Sequence, residues 1–166
     1  MTAMTMLRSA ALAAMITVVG GTVAFAGEDS AQTVNVTLWD KGANAEMKMD
    51  MGVGMAGNHM MSNMGLKLSR DQVKAGDVTF HVANSSKDAV HEMLVIPYPT
   101  SGKLPYNVQD AKFDEDAAKS MGEVSELDPG KAGSLTLKLA PGKYILTCNV
   151  ANHFANGMWT VLKVTE

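Results

Sequence analysis

The chain has 166 residues, 46% of them hydrophobic and 19% charged, with a formal net charge of −3. That mild acidity argues against nucleic acid or an anionic membrane surface as a partner, since both reward clustered Lys and Arg. Beyond the amino-terminal segment no apolar run nears the roughly 18 residues a membrane-spanning helix needs, so no stable membrane insertion is expected there.

Residues 1–26 read as a secretory signal. One positive charge, Arg8, precedes the uncharged stretch 9–26, which contains an apolar core over 10–19 and ends in the small-residue pattern Ala24-Phe25-Ala26. Cleavage after Ala26 leaves 27–166 as one domain, one charge more acidic, exported to the periplasm. An uncleaved membrane anchor is the alternative reading.

After residue 30 the dominant pattern is two-residue alternation. Val34, Val36 and Leu38 alternate with Asn35 and Thr37, which predicts a strand with one face in the core. A segment over about 46–65 then fits neither strand nor helix period and reads as an insertion. It holds seven methionines (Met47, Met49, Met51, Met55, Met60, Met61 and Met64) together with His59 and several glycines. Alternation resumes at Val78, Phe80 and Val82, with His81 facing outward as a surface residue. The run 89–96 is more continuously apolar and predicts a deeper strand.

Residues 114–121, DEDAAKSM, combine helix formers with an acidic start and predict one short helix in a long connection. The surrounding stretch 110–126 carries six acids and two lysines, read as a solvated face. Further strands are predicted at Leu135, Leu137 and Leu139, over 143–148 and over 158–164. Gly and Pro turns at 75–77, 128–130, 140–142 and 156–157 punctuate them. Many short strands with such turns predict an all-β Greek-key sandwich or barrel.

The only cysteine is Cys148. An exported chain with one cysteine closes no internal disulfide, which leaves a free thiol, an intermolecular bridge or a ligand. Its neighbours bear on that choice. Cys148, His153 and Met158 stand at C-x4-H-x4-M on the loop between the last two predicted strands. Thiolate, imidazole and thioether together favour copper over all-oxygen cations, and one tight loop converges all three. His91 is a candidate fourth donor: it sits inside a nearly all-apolar strand, where each ring nitrogen needs a partner. A metal on one nitrogen and a hydrogen bond on the other would satisfy both. Taken singly, each donor also has an ordinary reading as a packed core residue.

These residues resemble the cupredoxins, the small blue copper proteins. The resemblance runs over about 32–166: His91 on a mid-chain strand, the PGKY turn before the strand ending in Cys148, then His153 and Met158. The loop spacing is similar to that of rusticyanin and auracyanin. The resemblance implies a type 1 copper site, with His91, Cys148 and His153 as the trigonal set and Met158 as the weak axial ligand. It implies a one-electron carrier rather than an enzyme, a monomer that exchanges electrons with a cytochrome or copper protein. In the family the carboxy-terminal ligand histidine is the electron port; here that is His153, flanked by Phe154 and Ala151.

Three positions depart from common family patterns: Glu92 stands where Asn often follows the first ligand, Asn149 follows the cysteine, and Ala151-Asn152 replace Pro-Gly. A Glu92 carboxylate can accept from loop N–H groups, while its charge tunes the site. Copper nitrite reductases and multicopper oxidases need more histidines than the four present, and a dinuclear copper centre needs two cysteines.

The methionine-rich segment resembles the motifs of exported copper-handling proteins, because thioethers bind copper(I) without deprotonation. It offers a second copper(I) site drawn from Met47, Met49, Met51, Met55, His59, Met60, Met61 and Met64. The alternative function is accordingly a copper chaperone or scavenger.

Overall fold

The structure, a computed structural model, describes residues 32–42, 62–101 and 103–166. The predicted signal and most of the methionine-rich segment lie outside these residues. Eleven strands follow one another: β1 (Gln32–Asp40), β2 (Met64–Leu68), β3 (Gln72–Lys74), β4 (Gly76–Asn84), β5 (His91–Pro97), β6 (Tyr106–Asn107), β7 (Lys112–Phe113), β8 (Gly122–Leu127), β9 (Ala132–Leu139), β10 (Gly142–Thr147) and β11 (Trp159–Thr165). They form one sheet in the order β2-β1-β4-β9, a second in the order β3-β11-β10-β5-β8, and a small hairpin, β6-β7. The β1–β4 and β11–β3 pairs are parallel and the rest antiparallel.

Alternation decides which side chains meet between the sheets. Val34, Val36 and Leu38 of β1 and Val78, Phe80 and Val82 of β4 are buried against Met93 and Val95 of β5, Tyr144 and Leu146 of β10, and Leu162 and Val164 of β11. Asn35 and Thr37 point to water. His81 is exposed as expected, its Nδ1 2.8 Å from Ser134 Oγ on β9.

The continuously apolar strands are buried on both faces. Leu94 and Ile96 of β5 and Ile145 of β10 point away from the main core, into a second cluster with Leu104, Phe113, Ala118 and Phe154. The long connection from β5 to β8 supplies that outer cover. Two-sided burial removes the polar half of the alternation, which is why 89–96 and 143–148 read as unbroken apolar runs.

The helix predicted over 114–121 is absent, and among the described residues no helix forms. Asp114 does act as a cap, its Oδ1 accepting the Ala117 N–H at 2.9 Å. One α-type bond follows, from Ala118 N–H to Asp114 O at 2.9 Å, and then the turn tightens, with Lys119 N–H on Asp116 O at 3.0 Å. Lys119 then turns left-handed, with φ 60°, and Met121 N–H is taken by Val95 O at 2.9 Å as the chain enters β8. The segment is too short to pass its cap before sheet pairing claims it.

Gly157, in the turn before β11, has φ +90°, and a Cβ there would collide with the Ser62 side chain. Both constraints oppose any larger residue. Gly157→Ala is expected to cost about 1–3 kcal/mol, read as a lower urea midpoint with an unchanged slope.

Candidate metal centre

One end of the sandwich gathers the candidate donors. His91 opens β5 and shares a face with Met93 and Val95, so its ring points between the sheets. The loop before it is fastened by Asn84, whose Nδ2 donates to Ala89 O at 2.9 Å and Leu127 O at 2.8 Å. The pairing of β5 with β8 slips by one residue between His91 and Met93.

Cys148 follows β10 on the face of Tyr144 and Leu146. Its N–H donates to Met158 O at 3.0 Å, and Met158 N–H donates to His153 O at 3.0 Å. Between them the chain folds into consecutive turns: His153 N–H reaches Val150 O at 2.9 Å, Asn156 N–H reaches Asn152 O at 3.0 Å and Gly157 N–H reaches Phe154 O at 3.0 Å. This winding closes the loop and turns His153 back toward the sulfur.

His91, Cys148 and His153 each offer a ligand atom, and these atoms all lie within 4.8 Å of one another. His153 Nδ1 is 3.3 Å from Cys148 Sγ and 3.2 Å from His91 Nδ1. Met158 is wholly buried in the same core cluster as Cys148. Of the eight residues considered for a second site, Met47, Met49, Met51, Met55, His59, Met60 and Met61 lie outside the described residues. Met64 begins β2 opposite Asp40 and packs on the core.

Two carboxyl groups flank the donors, one on each sheet. Glu92 Oε1 accepts the Asn149 N–H at 3.0 Å, while Glu92 N–H points at Cys148 Sγ at 3.5 Å. The residue after His91 therefore ties β5 to the ligand loop, as a carboxylate can. Asn149 turns outward instead, its amide exchanging hydrogen bonds of 2.9 and 3.0 Å with the Phe113 main chain. Asp40 went unremarked in the sequence; its Oδ2 lies 2.9 Å from His91 Nε2, supplying the second partner that a buried imidazole demands. A lone Asp at a strand end carries no signal of a contact reaching 51 residues onward to the other sheet.

Phe154, which flanks His153 in the sequence, is buried. Its ring centroid lies 5.7 Å from Phe113, 5.9 Å from Tyr106 and 6.4 Å from Trp159. The turns after His153 point it into the outer cluster, leaving Ala151 exposed and His153 partly so.

Burial dominates the electrostatics. It pushes the Cys148 thiol up to about 12, and burial together with the nearby His91 charge pulls His153 down to about 4. Burial also raises Glu92 to about 7, aided by Glu115, Glu123 and Glu126 and opposed by the Asn149 N–H. Burial acts to raise Asp40 as well, but hydrogen bonds with Ser86, His91 and Gly42 outweigh it and hold that carboxyl below its ordinary value. The centre thus joins a sulfur and two imidazole nitrogens in a dry site with little protein positive charge. That donor set fits a soft or borderline cation, copper above all.

The two-sheet fold and this donor cluster define a cupredoxin, a class of copper-binding electron carriers rather than enzymes. The Sulfocyanin (SoxE) domain model matches residues 78–166, more than half of the chain. The chain belongs to the sulfocyanin family. Among solved structures, auracyanin B is 21% identical with a TM-score of 0.53, the match covering 84% of this chain and 92% of that one. Reduced rusticyanin is 18% identical with a TM-score of 0.51, covering 82% and 81%. Rusticyanin from Thiobacillus ferrooxidans is 16% identical with a TM-score of 0.51, covering 82% and 79%. These likenesses concern the fold. No curated protein matches the chain.

In the metal-free protein the Glu92 and His153 shifts act in opposite directions on stability. Glu92 is raised from 4.5 to about 7, so its contribution is full below pH 4.5 and lost as pH rises through 7. His153 is lowered from 6.5 to about 4, so its contribution is present above 6.5 and lost on acidification through 4. Glu92→Gln is expected to remove the Glu92 pH dependence alone, since a neutral amide resembles the protonated acid. Urea titrations across this range should show the two proteins alike at low pH and the variant favoured above pH 7, by on the order of 3 kcal/mol, because only the wild type then buries a carboxylate.

Proposed function

We propose that this chain is an exported type 1 copper protein that carries single electrons between redox partners in the periplasm. His91, Cys148, His153 and Met158 would hold the copper. The observation that carries the reading is the convergence of three donor atoms within 4.8 Å. Two of them come from one loop whose hydrogen bonds fix the C-x4-H-x4-M spacing. Residues 1–26 act as a cleaved signal, and 27–166 form the working domain, a monomer.

Bound copper supplies a one-electron couple. The protein keeps the reorganisation small: Met158 O holds the Cys148 N–H, His153 O holds the Met158 N–H, Glu92 pins the 148–158 loop to β5, and Asp40 holds His91. His153, partly exposed, is the port, with buried Phe154 behind it and Ala151 at the surface.

One equivalent of copper(II) added to the full chain should give an intense blue or green thiolate charge-transfer band with a reversible potential. Cys148→Ser should abolish the band. A colourless copper(II) complex, or a band that survives the substitution, would reject the reading. Uptake of several copper(I) ions with weak redox cycling would favour a copper handler using the methionine-rich segment.

Ala151→Asp places a charge beside the port without touching a donor. It should slow electron self-exchange severalfold while the copper content and spectrum stay unchanged. An unaltered exchange rate would move the port elsewhere.

A further inference from the structure

Asp40 ends β1, in the sheet opposite the one that carries His91. Its Oδ2 lies 2.9 Å from His91 Nε2, with side-chain exposures of 7% for the aspartate and 0% for the histidine. A carboxylate has only acceptors, so His91 Nε2 carries the hydrogen. In the neutral ring the lone pair then sits on Nδ1, the atom 3.2 Å from His153 Nδ1. The carboxylate is held in turn: its Oδ1 accepts the Gly42 N–H at 2.6 Å, in a turn where Gly42 takes φ 88°, and Ser86 hydrogen-bonds the same side chain. Asp40 lies outside the residues 78–166 that match the family model.

We propose that Asp40 is the positioning and tuning residue of the centre: reaching across the sandwich, it fixes His91 in the Nε2–H tautomer and sets a negative charge behind the imidazole that favours copper(II) over copper(I). A carboxylate behind a ligand histidine orients the ring and raises its basicity, and loss of such a partner typically weakens metal binding 10–100-fold. The charge also discriminates between oxidation states, because the doubly charged ion gains more from it. The inference rests on the copper reading above, and its tests separate the two.

The first test uses the metal-free full chain. Long-range nitrogen–proton NMR of the His91 ring should show the hydrogen on Nε2 in wild type. A ring protonated on Nδ1 alone overturns the proposal, whether or not copper binds. The second test compares copper-loaded wild type with Asp40→Asn, which keeps an acceptor for the Gly42 N–H but loses the charge. Copper(II) affinity should fall at least tenfold with copper(I) affinity little changed, raising the potential by about 59 mV for each tenfold. An aspartate serving only the turn would leave potential and tautomer as they are, and that result also overturns the proposal. A wild-type protein lacking the charge-transfer band counts against the copper reading, while the tautomer measurement still judges Asp40.

Discussion

A thiol and two imidazoles held dry and close together set the terms for the rest of this molecule. Removing such groups from water penalises their charged forms, as the raised thiol and the depressed His153 record. Lys112 offsets that penalty slightly for Cys148 and adds to it for His153. A cluster like this is stable only if the surrounding framework over-determines its geometry. The hydrogen bonds of the 148–158 loop, the close approach at Gly157 and the two flanking carboxyl groups are that framework.

The long β5–β8 connection is part of it. The β6–β7 hairpin holds the ligand loop from outside: Asn152 N–H donates to Ala111 O at 2.9 Å, and the Asn149 amide pairs with both main-chain groups of Phe113 as a neighbouring strand would. Phe154, between His153 and the tight turn at Gly157, is clasped by Tyr106 and Phe113 of this layer and by Trp159 of β11. The ligand loop is thus packed on the core side through Met158 and on the outer side through Phe154, so it has little freedom to relax when the charge at the site changes.

Much of the fold was legible because it rests on local periodicity. The strands at 34–38, 78–82 and 135–139 sit one face in the core, and the unbroken apolar runs proved to be strands covered on both sides. The convergence of His91, Cys148 and His153 was legible because their chemistry is scarce in an otherwise apolar setting. What failed depended on contacts distant in sequence. The acidic start of 114–121 gave a true cap, but propensity says nothing of β8 beginning at Gly122. The burial of Phe154 was not legible, because a loop has no period to reveal which way a ring turns. Asp40 and His91 meet only because two different sheets close on one another, and no spacing within the chain encodes that.

The two carboxyl groups show how one scaffold gives like residues unlike states. Asp40 and Glu92 both lie beside donors, and burial works against ionisation in each. Asp40 is surrounded by groups that donate to it, the Gly42 N–H, Ser86 and His91, and these overcome burial and keep it charged. Glu92 has the Asn149 N–H but faces Glu115, Glu123 and Glu126, and its ionisation moves up to about 7. A negative charge therefore stands behind the histidine, while the carboxyl that accepts the Asn149 N–H beside Cys148 resists ionisation up to about pH 7. The reverse arrangement would set a full negative charge against a thiolate in the driest part of the site, where repulsion is least screened. Placing the fixed charge one imidazole away from the donors gives it influence over the centre without that repulsion.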